Sequence, residues 1–301
     1  MEPLVSIVIP CFNQGRFLGE AIDSALAQAH PAIEVIVVND GSTDDTRSLA
    51  CARAGVRHIE QRNQGTAVAR NTGLADSRGE YVIFLDADDR LLPHAVALGI
   101  HWLAAHPDWS FVTGHVRLIA EDGTLAGVPP QEHQDREPYL ALLRSNYIWT
   151  PGVVLYRRSA LDAAGAFDPS AHGSADYDLN IRIARRWATG CHHQVVLEYR
   201  QHGANMTGDP AHMLKSAVSV RRRLRKYARE QAAAEEARRA GIRIVQEDFG
   251  GRLIDRVKVD LRSPGRRGRA CRDLFCLLQY YPAGVKTLVS DGLRRLTVMS
   301  R

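Results

Sequence analysis

The feature that most constrains the fold is an alternation of strand-like and helix-like segments over the first 95 residues. The strand-like runs are short and mostly rich in β-branched and apolar residues, and they read VSIVIP, IEVIVVND, VRHIEQ and YVIFLDADD. Runs of this kind, separated by helices, are typical of a parallel sheet that is covered on both faces. The sequence therefore predicts an α/β fold with a Rossmann-like, mostly parallel sheet and helices on both faces.

Acidic side chains follow two of these predicted strands. Asp40 follows the second run, and Asp86, Asp88 and Asp89 follow the apolar part of the fourth. Ligands of open α/β sheets bind beyond the carboxyl ends of the strands, and carboxylates together with phosphate oxygens suit Mg²⁺ or Mn²⁺. The spacing therefore predicts a cation-dependent phosphate site with carboxylates exposed at the sheet edge. The alternative is a solvated acidic turn before the helical segment LLPHAVAL.

The segment NDGSTDDT after the second strand fits a turn at Gly41 and a helix N-cap at Ser42 or Thr43. This structural role leaves Asp40 unexplained, and a carboxylate at a strand end can accept a hydrogen bond from a base N–H or a ribose hydroxyl. The sequence contains neither GxxxxGK(S/T) nor GxGxxG, which excludes a P-loop and a dinucleotide-binding fingerprint.

The character of the chain changes after residue 95 and again after residue 210. Residues 96–210 hold short strand-like pieces broken by turn signals, and residues 211–301 are arginine-rich and helix-forming, with a break expected at PGRRGR. Residues 1–210 carry 17 Lys and Arg against 25 Asp and Glu, whereas residues 211–301 carry 22 against 9. The chain is therefore predicted to have an acidic body over 1–210 and a basic helical extension over 211–301.

The basic extension has two interpretations that the sequence leaves open. It is either a helical appendage with solvated charges, which could also pack on a second subunit of a homodimer, or an attachment to an anionic membrane surface. We expect no nucleic-acid partner, because no binding module is recognisable and the body is acidic. The N-terminus lacks the basic region of a secretory signal, and the five cysteines lack metal or disulfide spacing. These features predict a cytoplasmic location. If the basic extension binds lipid, the protein would be peripherally attached to the cytoplasmic face of the membrane.

Several segments, taken in this order, resemble the motifs of glycosyltransferase family 2. They are VSIVIPCFNQGRFLGEAIDSAL, IEVIVVNDGSTDDT, GTAVARNTGL, GEYVIFLDADDRLLP, GAFDPSAHGSADYDLNIRIA and YRQHGANMT, and they cover roughly residues 4–205. The resemblance implies the GT-A fold for residues 1–210. Residues 1–95 would then form the nucleotide-binding half and residues 96–210 the acceptor-binding half.

The resemblance also implies roles for residues of the donor site. Pro10 and Phe12 would flank the nucleobase of a nucleotide-diphosphate sugar, and Asp40 would bind that base, most often uracil. Asp86 would contact the ribose, and Arg70 matches a family position near the nucleotide. For Arg70 the alternative is an ion pair on the surface of a helix.

Metal, catalytic and acceptor roles follow from the same resemblance. Asp88 would bind Mn²⁺ or Mg²⁺ at the diphosphate, as the second acid of the DxD motif, and His202 would assist there. Asp176 matches the family's catalytic base, with Ala175 where the family has glutamate; the alternative for Asp176 is a helix N-cap. Trp149 is expected to contact the acceptor sugar or, alternatively, to belong to the core. The remaining eleven histidines show no ligand spacing and are expected at the surface or in the core.

The implied activity is that of a metal-dependent, inverting glycosyltransferase. It would move a sugar from a UDP-linked donor to a hydroxyl of a glycan or lipid-linked acceptor. A nucleotidyltransferase is a rival enzyme class, but the loop CFNQGRF lacks the glycine-rich LxxGxGTR pattern of that class. A catalytically inactive sugar-nucleotide sensor or scaffold is the rival outside the enzymes. Ala175 supports this rival, whereas Asp88, Asp176 and His202 favour an enzyme.

Overall fold

The computed structural model describes residues 2–133, 136–171, 173–286 and 288. The chain divides into two compact units, the first formed by residues 1–142 and 146–202 and the second by residues 143–145 and 203–301. The functional boundaries expected from the sequence, at residues 95 and 210, stay predictions. The part of the predicted extension over residues 289–301 lies outside the described residues.

The strands of the first unit alternate with helices, as the sequence predicts for its first 95 residues. In chain order the strands are β1 (Val5–Cys11), β2 (Ile33–Asn39), β3 (Val56–Glu60), β4 (Tyr81–Phe84), β5 (Arg90–Leu91), β6 (Trp109–Ile119), β7 (Leu125–Gly127), β8 (Val154–Arg157) and β9 (Ala188–Arg200). The α-helices up to residue 184 are α1 (Gly15–Leu26), α2 (Thr46–Cys51), α3 (Thr66–Asp76), α4 (Ala95–Ala105), α5 (Pro138–Arg144), α6 (Arg158–Ala164) and α7 (Ala175–Ala184).

One sheet of nine strands organises the described part of the first unit, in the order β3-β2-β1-β4-β8-β6-β9-β5 with β7 paired to β6. The pairs β1–β2, β1–β4 and β2–β3 are parallel, as predicted, and β6–β9 is parallel as well. β8 runs antiparallel to both β4 and β6. Every residue of β1 is buried. Because successive side chains of a strand point to opposite faces, both faces of the sheet are covered at β1.

Helix α3 lies very close to the sheet at Gly73. A Cβ atom on Gly73 would sit 2.3 Å from Cγ1 of Val8 and 3.1 Å from Cγ2 of Val38. Any larger side chain would push the helix away from β1 and β2. Arg70 lies one turn earlier in α3, on the same face as Gly73, so this close approach holds its guanidinium near the ends of the strands.

The loop after β2 differs from its predicted form. Helix α2 begins at Thr46 with Asp45 at the N-cap position, and not at Ser42 or Thr43. Ser42 and Thr43 instead bond to the loop after β1. The backbone N–H of Asn13 donates to Oγ of Ser42 at 2.9 Å, and Oδ1 of Asn13 accepts from the backbone N–H of Thr43 at 2.8 Å. Two of the strand ends that carry the expected site are thereby tied together.

The second unit is helical, as the sequence predicts for the basic extension. Its helices after residue 203 are α8 (Pro210–Arg223), α9 (Arg225–Ala228), α10 (Ala232–Leu261) and α11 (Arg267–Tyr280). The break expected at PGRRGR is present as a short turn of 3₁₀ helix, Pro264–Arg266, before α11. The unit has a core of its own, formed by Leu214, Ala217, Val218, Val245, Leu253, Ile254, Val257, Leu277 and Tyr280. Among the described residues, no helix combines the length and apolarity needed to cross a membrane.

Candidate active site

The acidic turn after β4 is held from two sides by residues distant in the sequence. Oδ1 of Asp86 accepts a hydrogen bond from Arg70 at 2.6 Å, and Oδ2 of Asp86 accepts one from the hydroxyl of Thr150 at 3.2 Å. Arg70 is 7% exposed and Thr150 is 2% exposed. Arg70 is therefore buried and its partner Asp86 is half-buried, so the pair does not lie on an exposed helix surface, as the alternative for Arg70 had it.

Asp88 lies against His202. Nε2 of His202 is 2.9 Å from Oδ2 of Asp88, and the side chain of Asp88 is 13% exposed. The expectation of an exposed carboxylate is wrong for Asp88, because the end of β9 and the segment after it cover the acidic turn. Burial raises the pKa of Asp88, and the charge of Asp86 adds to this, while the hydrogen bond to His202 opposes it. The turn thus brings two carboxylates close enough to repel each other in a partly buried place, and a divalent cation would relieve that repulsion.

Asp89 has a structural part in the same turn. Its Oδ1 accepts from the backbone N–H of Arg200 at 3.0 Å, and its Oδ2 accepts from the hydroxyl of Thr150 at 3.4 Å. Arg200 in turn donates through Nε to the carbonyl oxygen of Asp88 at 2.8 Å. Burial, followed by the charges of Asp88 and Asp86, raises the pKa of Asp89 well above its usual range. Asp89 and Arg200 therefore fix the end of β9 against the acidic turn.

Asp40 organises the loop between β3 and α3. It is 2% exposed, and Oδ1 accepts from Nε2 of Gln61 at 2.7 Å and from the backbone N–H of Gln64 at 2.9 Å. Oδ2 accepts from the backbone N–H of Gly65 at 2.8 Å. Gly41, which follows Asp40, has φ +78°, and a Cβ there would lie 2.8 Å from the backbone nitrogen of Asn63. Only a glycine fits this turn, because L side chains avoid positive φ and the loop leaves no room.

The end of β1 presents an aromatic ring to solvent. Phe12 follows β1 and is 47% exposed. Pro10 is buried inside β1, opposite Val38 of β2. Of these two residues, Phe12 offers a free ring face, whereas Pro10 shapes the strand beneath it.

Asp176 lies in the first turn of α7 and is half-buried. Ser174 occupies the N-cap position of α7, so the alternative that Asp176 caps the helix is wrong. Burial raises the pKa of Asp176, although the charge of Arg70 opposes the shift. Ala175, the first residue of α7, is buried. Asp176 is therefore a carboxylate with raised proton affinity, close enough to Arg70 and Asp86 to feel both charges.

Arg70 connects these two carboxylates electrostatically. Burial alone would lower the pKa of Arg70, but the charges of Asp86 and Asp176 together raise it. Its guanidinium carbon also lies 5.3 Å from the ring centroid of Phe167. Within the described residues, no group accepts a hydrogen bond from the buried Nε of Arg70. A buried N–H without an acceptor costs free energy of folding, and a bound ligand that accepts its hydrogen bond would remove that cost.

Trp149 is 40% exposed and packs edge-to-face on Tyr199, with ring centroids 6.0 Å apart. It immediately precedes Thr150, which bonds to Asp86 and Asp89. The sequence singled out Trp149 but gave no role to Thr150 or to Arg200, although Arg200 lies in the segment YRQHGANMT beside His202. The structure thus brings Arg70, Asp86, Asp88 and His202 together and places Trp149 beside the residue that bonds to the turn.

Comparison with known proteins decides the family. The family model described as Glycosyl transferase family 2 matches residues 6–165. An uncharacterized glycosyltransferase of Rickettsia typhi is 32% identical over 219 residues, which cover 71% of this chain and 69% of that protein. The chain belongs to glycosyltransferase family 2. This family 2 protein is accordingly a glycosyltransferase, as its motifs predict.

Solved structures confirm the GT-A fold of this family 2 chain. The crystal structure of S. aureus TarS 1-349 superposes with a TM-score of 0.67 at 18% identity, covering 93% of this chain and 82% of that one. The mannosyltransferase PcManGT from Pyrobaculum calidifontis, in complex with GDP-Man and Mn²⁺, gives a TM-score of 0.60 at 18% identity, with 97% and 88% covered. TarS has also been crystallised in complex with UDP-GlcNAc, and that structure gives a TM-score of 0.60 over 74% of this chain.

Proposed function

We propose that this family 2 enzyme is a metal-dependent, inverting transferase that takes a sugar from a UDP-linked donor. The observation that carries the proposal is the acidic turn after β4, where Asp88 pairs with His202 and Asp86 pairs with Arg70. Carboxylate oxygens beside an imidazole suit Mn²⁺ or Mg²⁺. Asp88 and His202 would hold the cation, which supplies positive charge to the departing diphosphate when bound.

The remaining donor contacts are assigned to residues at the strand ends. The exposed ring of Phe12 would stack on the uracil, with Pro10 beneath it. Asp40 would keep the loop 61–65 in place and accept from the base through its remaining lone pairs, since each carboxylate oxygen can accept two hydrogen bonds. Asp86 would accept from the ribose, and the uncompleted Nε of Arg70 would donate to the donor's phosphates.

Asp176 would act as the general base. The acceptor hydroxyl oxygen forms a bond to the anomeric carbon of the donor sugar while the bond from that carbon to the diphosphate oxygen breaks. The electron pair of the broken bond leaves with the diphosphate, and the hydroxyl proton passes to the carboxylate of Asp176. A single displacement of this kind inverts the anomeric configuration. The raised pKa of Asp176 strengthens its affinity for that proton.

The acceptor is proposed to be a glycan or lipid-linked saccharide, with the indole face of Trp149 as one wall of its site. A Bacillus subtilis protein named as a teichuronic acid biosynthesis glycosyltransferase is 36% identical over 129 residues, covering 41% of this chain and 50% of that protein. This similarity supports a role in cell-envelope polysaccharide synthesis, carried out in the cytoplasm. An inactive sensor would have a donor site but no catalytic base. The presence of Asp176 near Arg70 disfavours that rival.

Donor binding tests the proposal directly. A panel of UDP-, GDP- and dTDP-sugars, each with and without Mn²⁺, is expected to raise Tm most for a UDP-sugar with Mn²⁺. A ligand at one hundred times its Kd stabilises the folded protein by about 2.7 kcal/mol. MnCl₂ alone and UDP alone are the controls. A larger shift with a GDP-sugar would overturn the choice of nucleotide. Release of pyrophosphate from UTP and a sugar 1-phosphate, in a separate assay, would point to the nucleotidyltransferase instead.

The basic extension is proposed to bring the enzyme to the cytoplasmic face of an anionic membrane. In the second unit, a cleft of ≈ 530 Å³ is lined by several arginines, among them Arg225, Arg229, Arg239 and Arg243. The side chains of Glu235 and Arg239 in this cleft are paired at 2.7 Å. Cations near an anionic surface contribute about 1 kcal/mol each. The arginines outnumber the acids of the cleft, so a phosphate-bearing surface is favoured there.

Vesicle co-sedimentation tests this attachment with the full chain. The double variant Arg225→Gln/Arg229→Gln is expected to bind anionic vesicles at least about tenfold more weakly, since two such cations together contribute about 2 kcal/mol. Arg47→Gln/Arg78→Gln is the matched control, because these two arginines are exposed on the first unit. Equal sedimentation of both variants, with a dimer seen by light scattering, would assign the extension to subunit contact.

A further inference from the structure

A cluster of nitrogen and sulfur donors lies apart from the acidic turn, on strands β6 and β9. His115 belongs to β6, and Cys191 and His193 belong to β9. One ligand atom from each of the three side chains lies within 4.8 Å of the other two. The imidazole Nε2 of His115 is 3.8 Å from Sγ of Cys191, and the rings of His115 and His193 have centroids 5.5 Å apart. The sequence analysis expected these histidines only in the core or at the surface, and it did not predict this cluster.

The backbone is bent at the point where the three side chains meet. The register of β6 with β9 shifts between Thr113 and His115 and again after His115. His193 has φ +55°, an uncommon value for a residue other than glycine. Its backbone N–H lies 3.3 Å from Sγ of Cys191 and donates to it. Bulges re-aim side chains and are over-represented beside functional sites, and this one turns the His193 side chain toward the same point as Cys191.

The spacing of the donor atoms fits a tetrahedral metal. With metal–sulfur and metal–nitrogen bonds of about 2.3 and 2.05 Å, a sulfur and a nitrogen on one tetrahedral zinc lie about 3.6 Å apart. The observed 3.8 Å between His115 and Cys191 is close to that separation.

We propose that His115, Cys191 and His193 form a zinc-binding site that is separate from the cation site of the sugar donor. Two imidazoles and a thiolate suit Zn²⁺, whereas Mg²⁺ and Mn²⁺ prefer the oxygen ligands of the acidic turn. Cys191 is buried and His193 is exposed, so the metal enters from the His193 side and keeps a fourth position for water. The thiol proton of Cys191 is released to solvent when the sulfur binds.

The site would join β6 to β9 where their hydrogen-bonded ladder is irregular. β9 continues from this cluster to Arg200, whose backbone N–H bonds to Asp89 of the acidic turn. A metal that ties His115 to Cys191 would therefore fix the strand whose end supports the donor site. This structural role does not depend on which sugar donor or acceptor the enzyme uses.

Cobalt substitution tests the site on the full-length protein. Co²⁺ added to the metal-free protein is expected to give a sulfur-to-cobalt charge-transfer band and strong visible bands of tetrahedral Co²⁺, saturating at one ion per chain. One equivalent of Zn²⁺ should abolish these bands, and excess Mg²⁺ should leave them unchanged. The acidic turn itself contains no cysteine, and a charge-transfer band that depends on Cys191 therefore does not come from binding there.

Variants decide which residues bind the ion. Cys191→Ser is expected to lose the charge-transfer band, and His115→Ala or His193→Asn to weaken Zn²⁺ binding by at least about 10- to 100-fold. Cys271→Ser is the matched control, because Cys271 is an exposed cysteine in α11. Folding of each variant is checked by circular dichroism, and His193→Asn tolerates the positive φ. A band that persists in Cys191→Ser, or Co²⁺ binding without any charge-transfer band, would overturn the proposal.

Discussion

Asp176→Asn is expected to lower kcat by about 10²–10⁴ while it changes the Kd of the donor less than about threefold. The loss of a general base typically costs a rate factor of that size. Asparagine keeps the shape of aspartate but cannot accept a proton at neutral pH. Helix α7 should begin at the same residue, because its N-cap position belongs to Ser174 and not to Asp176. The predicted effect therefore falls on the chemical step rather than on folding or donor binding.

Initial rates with the natural acceptor and calorimetric titration of the donor measure the two halves of this prediction. Asp162→Asn, which removes an exposed carboxylate in α6, is the matched control and should keep wild-type kcat. Near-normal turnover by Asp176→Asn would show that the base lies elsewhere. A large loss of donor affinity would instead assign Asp176 to the nucleotide site.

The pH profile of kcat provides a second readout of the same residue. A base must be deprotonated, so the rate falls as pH drops through its pKa. Burial raises the pKa of Asp176 from its ordinary value, which moves the acid limb of the profile to higher pH. We expect that limb in the wild-type enzyme and its absence from the residual activity of Asp176→Asn.

The strand ends and their acids could be predicted from the sequence because the signals are local. An apolar run that ends in Asp86-Ala87-Asp88 identifies a strand and its carboxyl end within a few residues. The parallel pairing of β1 with β2 and β4 then brings Asp40 and Asp86 to one edge of the sheet. Nothing beyond hydrophobic patterning and the geometry of parallel strands was needed.

The residues that support these acids could not be predicted, because their partners are far away in the chain. Thr150 is 61 residues from Asp89, and Arg200 is 111 residues from it. Their contacts depend on β8 being inserted antiparallel between β4 and β6, and on β9 running parallel to β6. Short strands broken by turns carry no signal that fixes such an order.

The proposed zinc-binding site could not be predicted from the sequence for the same reason. His115 and Cys191 are 76 residues apart, and they meet only because β6 and β9 are neighbours. Metal motifs that can be recognised in a sequence place their ligands within a few residues of each other. The positive φ of His193, which aims the third ligand, is a property of the bulge and not of the residue type.

Asp88→Asn is expected to abolish the metal dependence of donor binding and to leave the fold intact. The ratio of donor Kd values without and with Mn²⁺ should fall to about one, because the variant removes the charged oxygen ligand that sits beside His202. Asparagine can keep an acceptor oxygen for Nε2 of His202. In the folded protein the charged form of Asp88 is disfavoured, since burial and Asp86 raise its pKa above the unfolded value. Neutralising this side chain therefore removes a cost that is present at neutral pH, so Tm should stay equal to that of the wild type or rise.

This combination separates a metal ligand from a structural acid. Asp89 is buried and hydrogen-bonded to the backbone of Arg200, so loss of its acceptor would lower stability whether or not a cation is present. A merely structural Asp88 would behave in the same way, with a lower Tm and an unchanged effect of Mn²⁺ on donor affinity. Calorimetric titrations with and without Mn²⁺, together with thermal unfolding, distinguish the two. Asp108→Asn, at an exposed position before β6, should match the wild type in both measurements. Metal-dependent affinity that persists in Asp88→Asn would rule out Asp88 as the ligand that couples the cation to the donor.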